Sequence, residues 1–445
     1  MKERSVTSQD AGWPSAGRAW YMITVLLLAY IVSFIDRVII ALLVGPIRAD
    51  LGISDTQMSV LYGLVFAVFY TGIGIPIAWA IDRYNRRNIV VTGIALWSLM
   101  TTICGIARNF VELALARIGV AIGEACLSPA AYSMAGDSFP ERKLGRALSV
   151  FVVGLPMGVG LALIIGGMVI KAVSASPSYD LPLLGEIRAW QLTFFAVGIP
   201  GILLSLWALT ISEPPRRSSP AADAGEEAAG SILAACLYML RRWRLYASFI
   251  LGFSVLGMVL NVIQIWGVQY FMRVIGLTAP QAGLRVGAAI AVFGTVGILA
   301  GGYLTDRWRA AGQRDAAVRT GLCAAIGVLP FAAICTTLGS DLGSTLALAP
   351  ISFFSAFAFG AGATGIVVIT PAHMRAQASA VYLLFVNLIG IGLAPVLTAS
   401  ITDYWYRSDL AVGKATAIVT VSAAAVAAIL LGLARKPFRA ALAWE

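Results

Sequence analysis

The chain has 445 residues, of which 59% are hydrophobic and only 12% are charged, whereas about a quarter of the residues in soluble domains are charged. The composition excludes an ordinary soluble domain and indicates an integral membrane protein. A net charge of +10 does not indicate a nucleic-acid partner here, because the Lys and Arg residues lie in short links between apolar runs. The five cysteines are scattered singly, and their spacing predicts neither a metal site nor a disulfide framework.

Apolar runs long enough to cross a bilayer, which takes about 20 helical residues, recur twelve times along the chain. They predict spans near residues 20–45, 57–81, 89–107, 112–135, 147–170, 190–211, 246–272, 282–305, 317–338, 344–370, 377–402 and 414–434. Long continuous runs favour helices over the short alternating strands of a membrane barrel. The sequence therefore predicts an all-α membrane protein with twelve transmembrane helices.

The links between these runs predict the domain organisation and the topology. The segment 213–244 contains Pro214, Pro215 and an Ala/Gly/Glu-rich stretch, which predicts a partly disordered linker between two six-helix bundles at 20–212 and 245–434. The tails are then 1–19 and 435–445, and the first apolar run is too long for a cleaved signal peptide. Of the 32 Lys and Arg residues, 22 lie on the side of both tails and 8 on the other side. This bias predicts that both termini are cytoplasmic.

Two adjacent charges, Asp36 and Arg37, lie inside the first apolar run. A charge near the bilayer centre costs roughly 2.5–3.5 kcal/mol, so such residues usually face a protein or water cavity and serve a function. Neighbouring positions on a helix are about 100° apart, so the two side chains cannot neutralise each other and each needs a partner on another segment. A static packing pair or snorkelling charges are the alternative.

The two halves carry similar stretches at the end of their second helix. Residues 78–87 read AWAIDRYNRR and residues 302–309 read GYLTDRWR, which places Asp82 and Asp306 at equivalent positions. Parallel internal repeats are typical of transporters that hold their substrate between two bundles near the midplane.

These stretches resemble the signature loop of the major facilitator superfamily, and DRYNR at 82–86 is similar to the spinster-like branch. Asp36-Arg37, Arg117 with GEA at 123–125, and GLPMGVG at 154–160 extend the resemblance, which spans residues 20–434. The chain departs from the pattern at positions that line the expected cavity, and these are Ala78, Ile118, Ala121, Cys126 and Leu127. The resemblance implies secondary active transport by alternating access, with a lysophospholipid, a sphingolipid or a similar amphiphile as cargo.

Charged and polar residues within the spans supply the candidate site. Asp36 and Glu124 lie at similar depths on the first and fourth helices, which line the cavity in this superfamily, so we expect them to carry a coupling proton. Two permanent ion pairs that never titrate are the alternative. The expected substrate-binding residues are Arg37, Arg117, Asn261, Gln264 and Phe357. Guanidinium groups suit a phosphate or carboxylate head group, although Arg37 and Arg117 can equally serve to neutralise the acids.

A second set of residues is expected to control the conformation. Asp82 can lock the cytoplasmic side by hydrogen bonds to a helix start or an arginine across the bundle interface. The charged gating residues are Asp82, Arg83, Arg86, Asp306 and Arg307. In the fifth helix we expect a bend at Pro156 between the closely packing Gly154 and Gly158, which suits a rocking bundle or static packing.

The main hypothesis is a proton-coupled amphiphile transporter in a bacterial-type inner membrane, with no cofactor and a monomeric state. The runner-up is a proton-coupled transporter of a small organic anion such as a sugar acid or an aromatic acid. A membrane enzyme is disfavoured because the chain lacks G-x-S-x-G, H-E-x-x-H and Walker A patterns and has a single histidine, His373. A receptor on the same scaffold stays open.

Overall fold

A computed structural model describes residues 13–182, 185–216 and 232–442. Eleven helices in this part of the chain are long and apolar enough to cross a membrane. We number the spanning helices α1 to α12 in chain order. They are α1 Ala16–Leu51, α2 Asp55–Arg83, α3 Arg86–Cys104, α4 Phe110–Glu124 with Leu127–Ser138, α5 Arg142–Val173, α6 Ala189–Ala208, α7 Trp243–Arg273, α8 Ala279–Ala310, α9 Ala316–Cys335, α10 Asp341–Val368, α11 Arg375–Tyr406 and α12 Asp409–Ala441.

The twelfth crossing, α4, is broken into two helices directly after the residue Glu124. The two segments are separated by a turn at Ala125 and Cys126. With α4 counted, the described part of the chain has twelve crossings, as the apolar runs predict. The N-terminal end of α1 and the C-terminal end of α12 therefore lie on the same face of the molecule. We call this face the tail face and the opposite face the far face.

Two elements were not predicted. On the far face, between α5 and α6, strands β1 Ser178–Leu181 and β2 Gly185–Arg188 form an antiparallel hairpin in which Ser178 pairs with Arg188. A short helix, Ile232–Arg241, precedes α7 inside the predicted linker. The greater part of that linker, residues 217–231, lies outside the described residues, as do residues 1–12 and 443–445 of the predicted tails.

The helix boundaries on the far face repeat between the two halves. Gly52 ends α1 with φ 65°, and Gly276 has φ 80° after α7, in the left-handed region that favours glycine. Ser54 and Gln57 form a capping box at the start of α2, and Thr278 and Gln281 form one at the start of α8. The shared pattern Gly-x-Ser/Thr-x-x-Gln is a repeat signal in the sequence that was not predicted.

Close backbone contacts join the two bundles in the half of the molecule nearer the far face. A Cβ placed on Gly160 of α5 would lie 2.5 Å from the Gly287 oxygen of α8, and one on Gly167 would lie 2.7 Å from Cα of Pro280. On the other seam, a Cβ on Gly63 of α2 would lie 2.5 Å from the Ile391 oxygen of α11. Toward the tail face, the seam between α2 and α11 reaches Asn387, which donates to Thr71 at 3.2 Å near the middle of both helices. Small residues thus bring the bundles together on the far side.

Candidate functional site

Four charged side chains from α1 and α4 meet inside the first bundle. Asp36 and Arg117 are fully buried, and Glu124 retains 2% of its accessible surface. The Arg37 side chain retains 13%. The structure therefore brings together the four residues that the sequence selected, and only Arg37 among them keeps appreciable contact with the accessible surface.

Arg37 and Glu124 form the ion pair of this cluster. Nε of Arg37 donates to Oε2 of Glu124 at 3.0 Å, and Nη2 donates to the same oxygen. The other face of the guanidinium lies among aromatic rings, with its central carbon 4.2 Å from the Phe66 centroid, 5.0 Å from Phe34 and 5.3 Å from Tyr70. Since cation–π contacts and a carboxylate both stabilise it, Arg37 is held at the boundary between the buried acids and the accessible surface.

Arg117 donates to backbone oxygens of α1, although its charge suggests an ion pair with a carboxylate. Nη1 donates to the backbone oxygen of Asp36 at 3.0 Å, and Nη2 donates to the backbone oxygen of Arg37 at 3.4 Å. These carbonyls lie just before Ile39, where the helical hydrogen bonding of α1 is interrupted. Arg117 therefore joins α4 to the backbone of α1, and in this conformation its guanidinium does not reach the accessible surface.

The substrate-binding residues predicted in the second bundle lie on α7 and α10, and their contacts differ from those of the charged cluster. Gln264 accepts a hydrogen bond from Tyr62 of α2 at 3.4 Å, so it contacts the first bundle directly. Asn261 donates to the Gly257 oxygen of its own helix at 3.0 Å. Phe357 is buried and packs against Phe353, with ring centroids 5.6 Å apart.

The predicted gating residues on the tail face do not share one environment. Arg86 is buried and binds Asp137, the Glu213 carboxylate at 2.8 Å and the Pro214 oxygen at 2.8 Å. The Asp82 side chain, in contrast, is exposed.

The first residues of the linker contact the end of α2 directly. Arg216 donates to the Ile81 oxygen at 2.7 Å, to the Tyr84 oxygen at 2.6 Å and to the Asp82 oxygen. Arg83 lies 4.3 Å from the Trp79 ring centroid, and Asp306 and Arg307 at the end of α8 are exposed. In this conformation the end of α2 is therefore held by the linker.

Gly154, Pro156 and Gly158 lie where α5 contacts two different helices. A Cβ on Gly154 would lie 3.0 Å from Cδ1 of Tyr30, and one on Gly158 would lie 2.8 Å from Cδ2 of Phe34, so both glycines bring α5 close to α1. The Pro156 ring faces Gly294 of α8, where an added Cβ would lie 3.3 Å from it.

An ion-pair network that the sequence analysis missed seals the far face. Asp55, at the start of α2, is fully buried and accepts hydrogen bonds from Arg273 at the end of α7, at 2.6 and 2.8 Å. Arg48 lies 3.1 Å from the same carboxylate and 2.9 Å from Asp409 of α12. Since Arg273 and Asp409 belong to the second bundle, the network joins the two bundles.

Three further hydrogen bonds support this far-face network. Asp403 of α11 accepts from the backbone and hydroxyl of Thr56, both at 2.7 Å, and Gln269 donates to the Ala41 oxygen at 2.7 Å. The arginines of the network flank the predicted spans and were counted only as topology charges, and its acids were not singled out. The signal in the sequence was Asp55 directly after a capping serine, because a carboxylate in the first turn of a helix is favourably placed.

Two six-helix bundles that are joined at one face, with buried charges between α1 and α4, define a multi-pass membrane transporter. The family model described as Major Facilitator Superfamily matches residues 26–395. The chain belongs to the major facilitator superfamily.

Relatives and solved structures agree with this assignment. The chain is 27% identical to an MFS-type efflux pump of Mycolicibacterium smegmatis over 95% of its own length and 94% of the relative. It is 25% identical to a probable L-galactonate transporter of Escherichia coli over 87% and 83% of the two chains. The crystal structure of a bacterial homologue of the human lysosomal transporter spinster, inward-facing and unoccupied, superposes with a TM-score of 0.75 at 26% identity, covering 96% of this chain and 98% of the other.

Proposed function

We propose that this transporter moves an amphiphile with an anionic head group, such as a lysophospholipid or a sphingolipid, and couples the movement to protons carried by Asp36 and Glu124. The observation that supports the proposal most is the buried cluster of two acids and two arginines, in which Arg37 alone extends to the accessible surface. Buried charges within membrane helices are costly to keep and usually serve transport.

Arg37 links cargo and proton in this proposal. The guanidinium now binds Glu124, and a phosphate or carboxylate head group would compete for the same donors. When the head group of the cargo binds the Arg37 guanidinium, Glu124 loses its ion-pair partner while it is still buried. An unpaired buried carboxylate binds a proton instead of staying charged. When cargo leaves, Arg37 returns and the proton is released.

The aromatic residues favour an amphiphile over a fully polar cargo. Phe353, Phe354 and Phe357 form a continuous aromatic group in α10 that would suit an acyl chain, with Asn261 and Gln264 of α7 completing the site. Arg117 holds α1 in place now, and we propose that it reaches the head group in another conformation. The second candidate is a small organic anion, because the probable L-galactonate transporter is a relative over most of both chains.

We infer from the distribution of Lys and Arg that the tail face is cytoplasmic. The far face is then sealed and the conformation is inward-facing, like that of the spinster homologue. In the outward-facing state, Asp82, Arg83 and Arg86 with Asp306 and Arg307 would close the tail face, and α5 would rock about Pro156 with Gly154 and Gly158 packed on α1.

Proteoliposomes test the cargo directly. A fluorescent lysophospholipid and a radiolabelled sugar acid are offered to the parent and to the variants Arg37→Gln and Lys143→Gln, the latter removing an exposed charge far from the cluster. We expect lysophospholipid movement in the parent and in Lys143→Gln and its loss in Arg37→Gln. Movement of the sugar acid alone would support the second candidate, and movement of neither cargo would contradict the proposal.

A further inference from the structure

Several buried polar atoms around Asp36 have no hydrogen-bond partner among the described residues. They include both carboxylate oxygens of Asp36, Nε1 of Trp97, Oγ1 of Thr101 and Nε of Arg117. Leaving a buried polar group unpaired costs roughly 1–3 kcal/mol, so groups of this kind are usually paired in at least one functional state. The unpaired acceptors are both oxygens of Asp36 and Oε1 of Glu124, and the unpaired neutral donors belong to α3.

The donors face the acceptor. The Asp36 carboxylate has the Thr101 hydroxyl and the Trp97 indole N–H as its neutral polar neighbours. Both residues are fully buried. They lie four positions apart and so project from the same face of α3, where one carboxylate can accept from both donors.

Close packing of α3 on α4 fixes where these donors lie. A Cβ on Gly123 of α4 would lie 2.6 Å from the backbone nitrogen of Trp97 and 2.8 Å from the backbone oxygen of Gly93. A side chain at position 123 would therefore push α3 away from α4. Because Gly123 directly precedes Glu124, the same contact sets the positions of Glu124 and of the α3 donors relative to Asp36.

The charged and titratable groups that face Asp36 come from three helices. Glu124 and Arg117 lie on α4, and the Cys104 thiol lies on α3. Arg37, on α1 itself, is engaged by Glu124. Arg117 donates two hydrogen bonds to backbone oxygens. Neither oxygen of the Asp36 carboxylate accepts a hydrogen bond of normal geometry from a described residue in this conformation.

We propose that Thr101 and Trp97 are positioning residues for Asp36, which donate hydrogen bonds to its carboxylate in the state that releases the proton. The proposal rests on the proposed proton coupling through Asp36. In the conformation described here both donors lie beside the carboxylate without a hydrogen bond of normal geometry. Engagement of the hydroxyl and the indole N–H would stabilise the charged carboxylate and so favour release.

The test is the pH dependence of the conformational equilibrium. Spin labels at the exposed far-face residues Glu186 and Lys414, one on each bundle, report opening of the far face by a distance measurement between pH 4 and pH 9. We expect Thr101→Val and Trp97→Phe each to move the midpoint of the response to higher pH, by about one unit for each lost donor. Thr101→Ser keeps the hydroxyl and should restore the parent midpoint.

Ser98→Ala is the matched control. Ser98 is also on α3, is also fully buried and also has an unpaired hydroxyl among the described residues, but it faces Gly201 of α6. We expect its midpoint to equal that of the parent. Asp36→Asn distinguishes a failure of proton coupling from a failure of the positioning role, because a response that survives in this variant contradicts proton coupling through Asp36. A response that is lost in Asp36→Asn but unmoved in Thr101→Val and Trp97→Phe contradicts only the positioning role.

Discussion

At the scale of single residues, the far-face network holds the molecule in the conformation described here. Asp55 is fully buried, and three of its contacts are charge-assisted, two from Arg273 and one from Arg48. Removing one partner of a buried pair leaves the other charges uncompensated, which costs several kcal/mol. The stability of the closed far face therefore depends strongly on this one carboxylate.

Asp55→Asn should open the far face. The amide cannot balance Arg48 and Arg273, so we expect the population with an open far face to rise by roughly 10- to 100-fold, equivalent to about 1.4–2.8 kcal/mol. The distance between spin labels at Glu186 and Lys414 measures that population. Asp409→Asn is the control, because the Asp409 side chain is 55% exposed and exposed pairs contribute about 0–1 kcal/mol. An unchanged distance distribution in Asp55→Asn would show that the glycine contacts alone keep the face closed.

The four clustered charges of the candidate site could be predicted from the sequence, but their contacts could not. Asp36, Arg37, Arg117 and Glu124 stood out because charges inside apolar runs are rare, and the structure places all four in one cluster. The role of Arg117 as a donor to α1 carbonyls was not predictable, because backbone contacts between helices depend on their exact packing. Asp55 and Arg273 were missed because charges at helix ends look like ordinary surface charges until a partner helix buries them.

At the scale of helices, glycines decide how closely the bundles approach. Gly283 of α8 faces α5, and a Cβ there would overlap the backbone oxygen of Leu163, which cannot move as a side chain can. Gly302 on the same helix has open space around its Cα hydrogens. Gly154 and Gly158, which were predicted to pack closely, join α5 to α1 within one bundle, whereas Gly160 and Gly167 contact the other bundle.

Gly283→Ala should prevent the far face from closing fully. We expect a longer mean distance between labels at Glu186 and Lys414, whereas Gly302→Ala should match the parent. The comparison is internal to α8, so a general effect of alanine on helix stability is the same in both variants. Equal distances in the two variants would mean that α5 and α8 adjust without separating.

A second set of helix ends is tied together on the tail face. The buried Asp315, between α8 and α9, binds Arg319 of α9 and Arg435 and Arg439 of α12, all at 2.9 Å. Burial raises the pKa of this carboxyl, but the hydrogen bonds from the three arginines outweigh it and lower the pKa to about 2. In the first bundle a central arginine takes the place of the central acid, because Arg86 at the start of α3 pairs with both Asp137 and Glu213.

The Asp315 cluster predicts a specific pH dependence of stability. Because the pKa of Asp315 is lowered on folding, its contribution is fully present above the unfolded value near 4 and is lost as the pH falls toward about 2. We expect Asp315→Asn to lower the thermal unfolding temperature by the same amount between pH 5 and pH 8, and the difference from the parent to shrink below pH 4. Fluorescence-monitored unfolding in detergent measures it. A difference that grows on acidification would contradict this ion-pair account.

At the scale of the whole molecule, the two-bundle architecture could be predicted from the sequence, but which face is closed could not. Twelve apolar runs and a repeated DR motif were sufficient for the two bundles, because hydrocarbon thickness fixes the length of each helix. Which face is closed depends on small differences among contacts at both ends, and such differences are not visible in composition. The β-hairpin after α5 was missed because each of its strands is only four residues long.

The account as a whole requires that protons drive the change between the two conformations through Asp36 and Glu124. Asp36→Asn and Glu124→Gln remove the titrating groups while retaining the side-chain size, so folding and cargo binding should persist. An Arg146→Gln variant, which removes an exposed charge on the tail face, serves as the control for altered surface charge.

The most direct test is accumulation of cargo in proteoliposomes after an imposed pH step, with cargo binding measured in parallel on the same preparations. The account predicts that the parent and Arg146→Gln accumulate cargo against its gradient, and that Asp36→Asn and Glu124→Gln bind cargo but do not accumulate it. If both acid variants accumulate cargo as the parent does in response to the same pH step, the coupling proton is not carried by these residues.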